Sequence, residues 1–287
     1  MKKFKLFTIV IISLTMLSGC FKRDNLDDIS IYTTTYPIEY LTNFIYGYNS
    51  NIKSIYPKGT NVREYTLTDK LIKEYASADM LIYNGETKEK NIAASFMNKN
   101  KRLKIIDVSK GLTIKRDEEE LWLCPSNYLM LAQNIKNELL EYTSSTLLKQ
   151  EIIENYDKLK LIISSYDAEL KVIAESSSNP TIIAGNDVFK FLEKYGFKVL
   201  SIEDNDLSDA KELSEAKNNI KNKLNSYVFT LNTDAETENV KNIETEGAIV
   251  ASIQSMINLS DEEYKDGYDY EQMMDNFIET IKTEVYN

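Results

Sequence analysis

Histidine is missing from all 287 residues. That removes the usual general base at neutral pH and the commonest transition-metal ligand. Cysteine is scarce: only Cys20 and Cys124 occur, so modification of one leaves no disulfide pair. There is no Gly-x-Ser-x-Gly and no phosphate-binding glycine loop. With those chemistries excluded, the chain is read as a non-enzyme. Basic residues are outnumbered, 34 against 45 acidic, for a formal charge of −11. The first nineteen residues carry Lys2, Lys3 and Lys5 and no acid, so without them the balance is 31 against 45, or −14. Such a surface repels nucleic acid and favours solubility.

What is present suffices for real cores: 43% of residues are hydrophobic and 10% aromatic. From Ser126 to Asn179 there is no Gly and no Pro. The second half of this stretch places Leu148, Ile152, Tyr156, Leu159, Ile163, Tyr166, Leu170 and Ile173 at spacings of three and four, one face of an α-helix. Ser144 or Ser145 caps its start, and Ser176 to Pro180 stops it. A helix from about Leu147 to Glu175 is roughly 45 Å long, longer than one small domain is wide.

The sequence alternates strand and helix on both sides of that helix. Before it, strands are expected at Ile29 to Thr34, Ile52 to Tyr56, Met80 to Tyr83 and Lys104 to Val108. Helices are expected at Ile38 to Tyr46, Asp69 to Ala76 and Ile92 to Met97. After it come strands at Thr181 to Ala184, Lys198 to Ile202, Tyr227 to Leu231 and Ala248 to Ile253. Between these lie helices at Asp187 to Tyr195, Ser208 to about Leu224 and Glu236 to Glu246. Asn258 to Asp269 reads as a polar, mobile loop before a terminal helix, Tyr270 to Val285. Strands separated by single helices pair in parallel with right-handed crossovers. The expected architecture is α/β: two α/β lobes with mainly parallel sheets, joined by one long rigid helix, with a ligand cleft between them. The segments are 29–143, 144–178 and 179–287.

Residues 1–19 combine a basic start with the short apolar run Phe7 to Leu17 and end in Leu17-Ser18-Gly19-Cys20. This resembles a bacterial lipobox, whose cysteine thiol receives diacylglycerol. Residues 20–28 then form a tether, and acyl chains on Cys20 hold the protein on the outer face of the cytoplasmic membrane.

The rest of the chain resembles the metal-type (zinc/manganese) solute-binding lipoproteins of ABC importers. Thr35-Tyr36-Pro37-Ile38, Pro57-Lys58-Gly59, Tyr83-Asn84-Gly85, Asp107-Val108-Ser109-Lys110-Gly111 and Lys194 to Ile202 follow the family's order and spacing. Leu121-Trp122-Leu123-Cys124-Pro125 matches a Trp-Leu-Asp-Pro motif with Cys124 in place of the aspartate. The resemblance implies a monomer that hands its ligand to an ABC permease, with zinc or manganese as cargo and no other cofactor. It also implies that the ion sits in the cleft among histidines and carboxylates. On the flanking motifs the histidine positions fall at Arg63, Glu120 and near Gly185, and a carboxylate position falls at Gln254. A slip of one or two residues in the second half would bring in Asp187. Arg63 is a permanent cation and no ligand. The site therefore reads as degenerate: either the cleft has changed ligand, with Arg63 meeting an anion, or it is vestigial in an accessory lipoprotein. The acidic run Asp117 to Glu120 reads as a solvated loop and Cys124 as a buried, inert thiol.

Overall fold

The computed structural model describes residues 29–47, 50–112, 120–203 and 209–286. The leader, Cys20, the tether, Asp117 to Glu119 and the start of the helix expected at Ser208 lie outside the described residues. Two four-stranded sheets form, each wholly parallel. The first comprises β1 (Ser30–Thr33), β2 (Asn51–Ser54), β3 (Met80–Tyr83) and β4 (Lys104–Asp107), in spatial order β2-β1-β3-β4. The second repeats that order with β5 (Thr181–Ala184), β6 (Lys198–Ser201), β7 (Tyr227–Leu231) and β8 (Ile249–Ile253), as β6-β5-β7-β8. In each, the chain leaves its first strand to one side and then crosses to the other. This creates a switch point beyond the carboxyl ends of β1 and β3, and another beyond β5 and β7.

Three helices alternate with the first four strands: α1 (Tyr36–Tyr46), α2 (Asp69–Tyr75) and α3 (Glu89–Lys99). Pro37 stands in the first turn of α1, and Thr68 caps α2 by accepting from the Leu71 amide. A 3-10 turn (Leu121–Leu123) leads into α4 (Pro125–Tyr142). The Gly- and Pro-free stretch is two helices, broken at 143–145, the second being α5 (Thr146–Ser176). Its 31 residues span about 46 Å. Ser145 caps it, and all eight apolar positions named from the sequence are buried.

The helix ties to both lobes. Asn155 donates to the Ile45 carbonyl of α1, while Asp167 accepts from the Tyr195 hydroxyl of the second lobe at 2.7 Å. The helix expected at Asp187–Tyr195 forms as a 3-10 helix, closed by Gly196 at φ +103°. Then come α6 (Asp209–Lys221), α7 (Glu238–Thr245), α8 (Asp261–Lys265) and α9 (Tyr270–Val285).

The expectation of a mobile loop at Asn258 to Asp269 is corrected. Ser260 and Glu263 form a reciprocal capping box that starts α8. The segment before it leaves β8 and docks on the first lobe. There Tyr36 donates its amide to the Ile257 carbonyl, and Gly59 donates to that of Leu259. One apolar core therefore runs through both lobes, joining Ile31, Trp122, Ile163, Phe229 and Phe277. A smaller core, including Ile183, Ile202, Ile220 and Ile243, lies on the second sheet where α6 and α7 cover it.

Candidate functional site

The first-lobe side of the site is a loop after β2. The Asn61 side chain accepts from the Arg63 amide at 3.0 Å, the short-range bond that makes asparagine a turn former. Val62 is buried beneath it, and Lys88 at the head of α3 donates to the Val62 and Arg63 carbonyls. Pinned this way, Arg63 points its guanidinium at Glu120, with Nη2 2.8 Å from Oε1. The Glu120 side chain is 4% exposed and that of Arg63 39%. Glu120 is fixed because the 3-10 turn after it buries Leu121, Trp122 and Leu123, and the Trp122 indole donates to the Ser255 carbonyl at 2.7 Å. Ser255 belongs to the crossing segment, so the same tryptophan ties the lobes together.

The second lobe contributes Asp234, just beyond β7. Its Oδ1 lies 4.0 Å from Arg63 Nη1. The Asn186 side-chain amide donates to both of its oxygens at 3.2 Å, and the Leu231 amide donates to Oδ2 at 3.0 Å. Asn186 follows β5, so the second-lobe residues stand at the switch point of their sheet, while Arg63 and Glu120 come from the loops after β2 and β4 of the first sheet. Behind the Arg63 loop lies a cavity of about 10 Å³ bounded by Thr35, Glu89, Trp122 and Ile257. That is room for about one water.

The other positions named from the sequence do not join this cluster. Gly185 has no side chain to offer. A Cβ there would come within 3.0 Å of Thr230 Cγ2 and 3.1 Å of Val240 Cγ2, so it serves close packing of β5 on its neighbours. Asp187 accepts from the Ser201 hydroxyl at 2.5 Å and pairs with Lys190 at 2.7 Å. Gln254 donates its amide to Glu263 of α8. Cys124 is buried at the start of α4, its Sγ 3.3 Å from Ser126 Oγ. Among the described residues, no three His, Cys, Asp or Glu side chains converge as a metal shell would require.

Three features escaped the sequence. Asp234 follows a strand that was read correctly, and the rule that sites gather beyond strand carboxyl ends points at it. Lys88 carries no motif. Met256 takes φ +55° while fully buried, a backbone set by the crossing itself.

Nearby, Glu39 accepts from the Tyr264 hydroxyl at 3.0 Å, and Lys58 lies over the Tyr264 ring, 3.8 Å from its centre. Burial pushes the Glu39 carboxyl above its ordinary range, a shift the Tyr264 bond and Lys58 partly offset.

Residues 31–284 match the family described as zinc-uptake complex component A, periplasmic (ZnuA). A metal ABC transporter substrate-binding lipoprotein of Streptococcus cristatus, ScbA, is 24% identical over 220 residues, 68% of this chain and 69% of that protein. Among solved structures, the metal-dependent lipoprotein YcdH of Bacillus subtilis superposes with a TM-score of 0.75 at 19% identity, covering 91% of this chain and all of that one. The Zn(II)-bound ZnuA-like domain of Streptococcus pneumoniae AdcA gives 0.73 at 19% identity, again over 91% of this chain and 100% of its own. At such identities the two structures speak for the fold.

Proposed function

The chain belongs to the ZnuA family of periplasmic zinc-uptake components, and from that premise we propose an extracytoplasmic solute-binding protein whose cleft carries its own tethered cation. Arg63 stands where the resemblance puts a metal-binding histidine. The observation that carries this is the Arg63 contact with Glu120 at 2.8 Å and its approach to Asp234 of the other lobe at 4.0 Å. A guanidinium between two carboxylates gives them the counter-charge that a bound ion would otherwise supply.

Zinc as cargo fits this donor set poorly. A zinc ion drawn to Glu120 meets the positive charge of Arg63 first. Neither an imidazole nor a thiolate stands beside it: the chain has no histidine, and Cys124 is bonded within the base of α4. Gln254 and Asp187 are engaged elsewhere. The protein therefore acts without the family's high-affinity zinc or manganese site. It is held outside the cell membrane by lipid on Cys20 and docks as a monomer on an ABC permease. Among the described residues no helix is long and apolar enough to cross a membrane, and an anchor at Cys20 requires none.

Two measurements test this. Metal analysis of the purified protein should find zinc and manganese far below one equivalent; a full equivalent of either contradicts the tethered-cation cleft. Cys20→Ala should leave an unprocessed precursor that takes up no labelled acyl chain; normal processing and labelling contradict the anchor.

A further inference from the structure

A second opening lies on the outer side of the Arg63 loop, between α2 and α3. It is a cavity of about 380 Å³, within the range of small-molecule sites. Its walls follow from a weakness of the fold. The helix α2 buries none of its seven residues. Ile72 therefore stays half-exposed, as do Leu67 in the chain leading to it and Ile92 on the facing side of α3. Tyr65 joins the lining, its ring edge-on to Tyr56 at 5.9 Å. Asn91 and Ser95, one turn apart on α3, add polar atoms to the lining.

The charge of this cavity sets it apart from the rest of the molecule. The chain has 45 acidic residues against 34 basic, yet no aspartate or glutamate lines the cavity while Arg63 and Lys88 do. Arg63 is matched by Glu120 and adds little net charge. Lys88 differs. Its ammonium donates to the Val62 carbonyl at 3.1 Å and the Arg63 carbonyl at 2.5 Å, and both partners are neutral. These bonds hold the head group in place and leave its charge uncancelled. A fixed cation at the rim of an apolar slot is what recognises an anion with a hydrocarbon body.

We propose that this cavity binds a small amphipathic organic anion, its carboxylate at Lys88 and its apolar part against Leu67, Ile72 and Ile92. The site goes beyond the cleft reading, since neither the Arg63–Glu120 pair nor the absence of tight zinc binding is needed for it.

Hexanoate is the probe, titrated into the whole protein and followed by ligand-observed magnetic resonance, with hexanol and hexylammonium as controls of equal body. Hexanoate should bind saturably, and both controls about fivefold or more weaker, since a charged hydrogen bond is lost or reversed. Lys88→Met should weaken hexanoate by a similar factor, and Lys88→Arg should restore it. Because Lys88 also holds the loop, Ile92→Glu serves as an independent variant: it leaves the loop bonds intact, puts a carboxylate into the slot and should abolish binding. Hexanol binding as tightly as hexanoate, or hexanoate binding unaltered by Ile92→Glu, overturns the proposal. So does no saturable binding by the native protein. A zinc titration reads the cleft separately, so either idea can fail alone.

Discussion

In the first lobe, the loop after β2 and the turn before α4 bring Arg63 and Glu120 face to face, with the carboxylate almost fully enclosed. In the second lobe, Asp187 and Gln254 turn to local partners, Ser201 and Glu263, and a different residue, Asp234, approaches from 4.0 Å. The strand order is the same in both sheets. What differs is how the strand-end loops are held. Buried Val62 and Trp122 fix the first-lobe loops on the main core. Asp234 is held by hydrogen bonds with Asn186 and Leu231. Repeating a sheet thus repeats the place where a site can form, while the loops decide which residues reach it.

That contrast predicts a graded response to mutation. Glu120→Ala, which strips a partly buried guanidinium of its partner, should lower unfolding stability by about 1–3 kcal/mol in a denaturant titration. A loss under about 0.5 kcal/mol would mean that the pair adds nothing to the first lobe. Asp234→Ala leaves the 2.8 Å contact in place and should cost less, under about 1.5 kcal/mol, much of it from the Asn186 and Leu231 bonds. If it cost more than Glu120→Ala, the second lobe would be the stronger half of the site.

The smallest effect concerns the crossing segment. The Glu39 carboxyl is raised, chiefly by burial, so the folded chain holds this proton more tightly than the unfolded chain does. Stability from this group is therefore present below the unfolded pKa and declines as pH rises through the raised folded value. Glu39→Gln should flatten that part of the stability–pH curve just above the ordinary carboxylate range. An unchanged slope would show that the Glu39 carboxyl stays hydrated in the folded protein.

The same contrast explains what could be read from sequence. Apolar spacing fixed α5 and its buried face, since a helix of that length has one way to hide eight side chains. Short β-branched runs placed all eight strands to within a residue or two. That Arg63 and Glu120 both fall at positions of one site was legible through the resemblance, because both residues sit close to rigid motifs, Pro57-Lys58-Gly59 and Trp122. Around Gly185 and Gln254 no such anchor fixes the register. The crossing segment was misread because its polarity suggests a loop, while its order comes from contacts with residues some two hundred positions earlier, as Asn258 shows with Pro57 and Thr60. The 3-10 form of Asp187–Tyr195 has no sequence signal that we can name.

The central claim, that Arg63 serves as the cleft's own cation, is tested most directly by calorimetric titration of zinc into the chelator-treated protein. The native chain should show nothing tighter than the micromolar range, on the order of −8 kcal/mol. A one-to-one isotherm in the nanomolar range would contradict it.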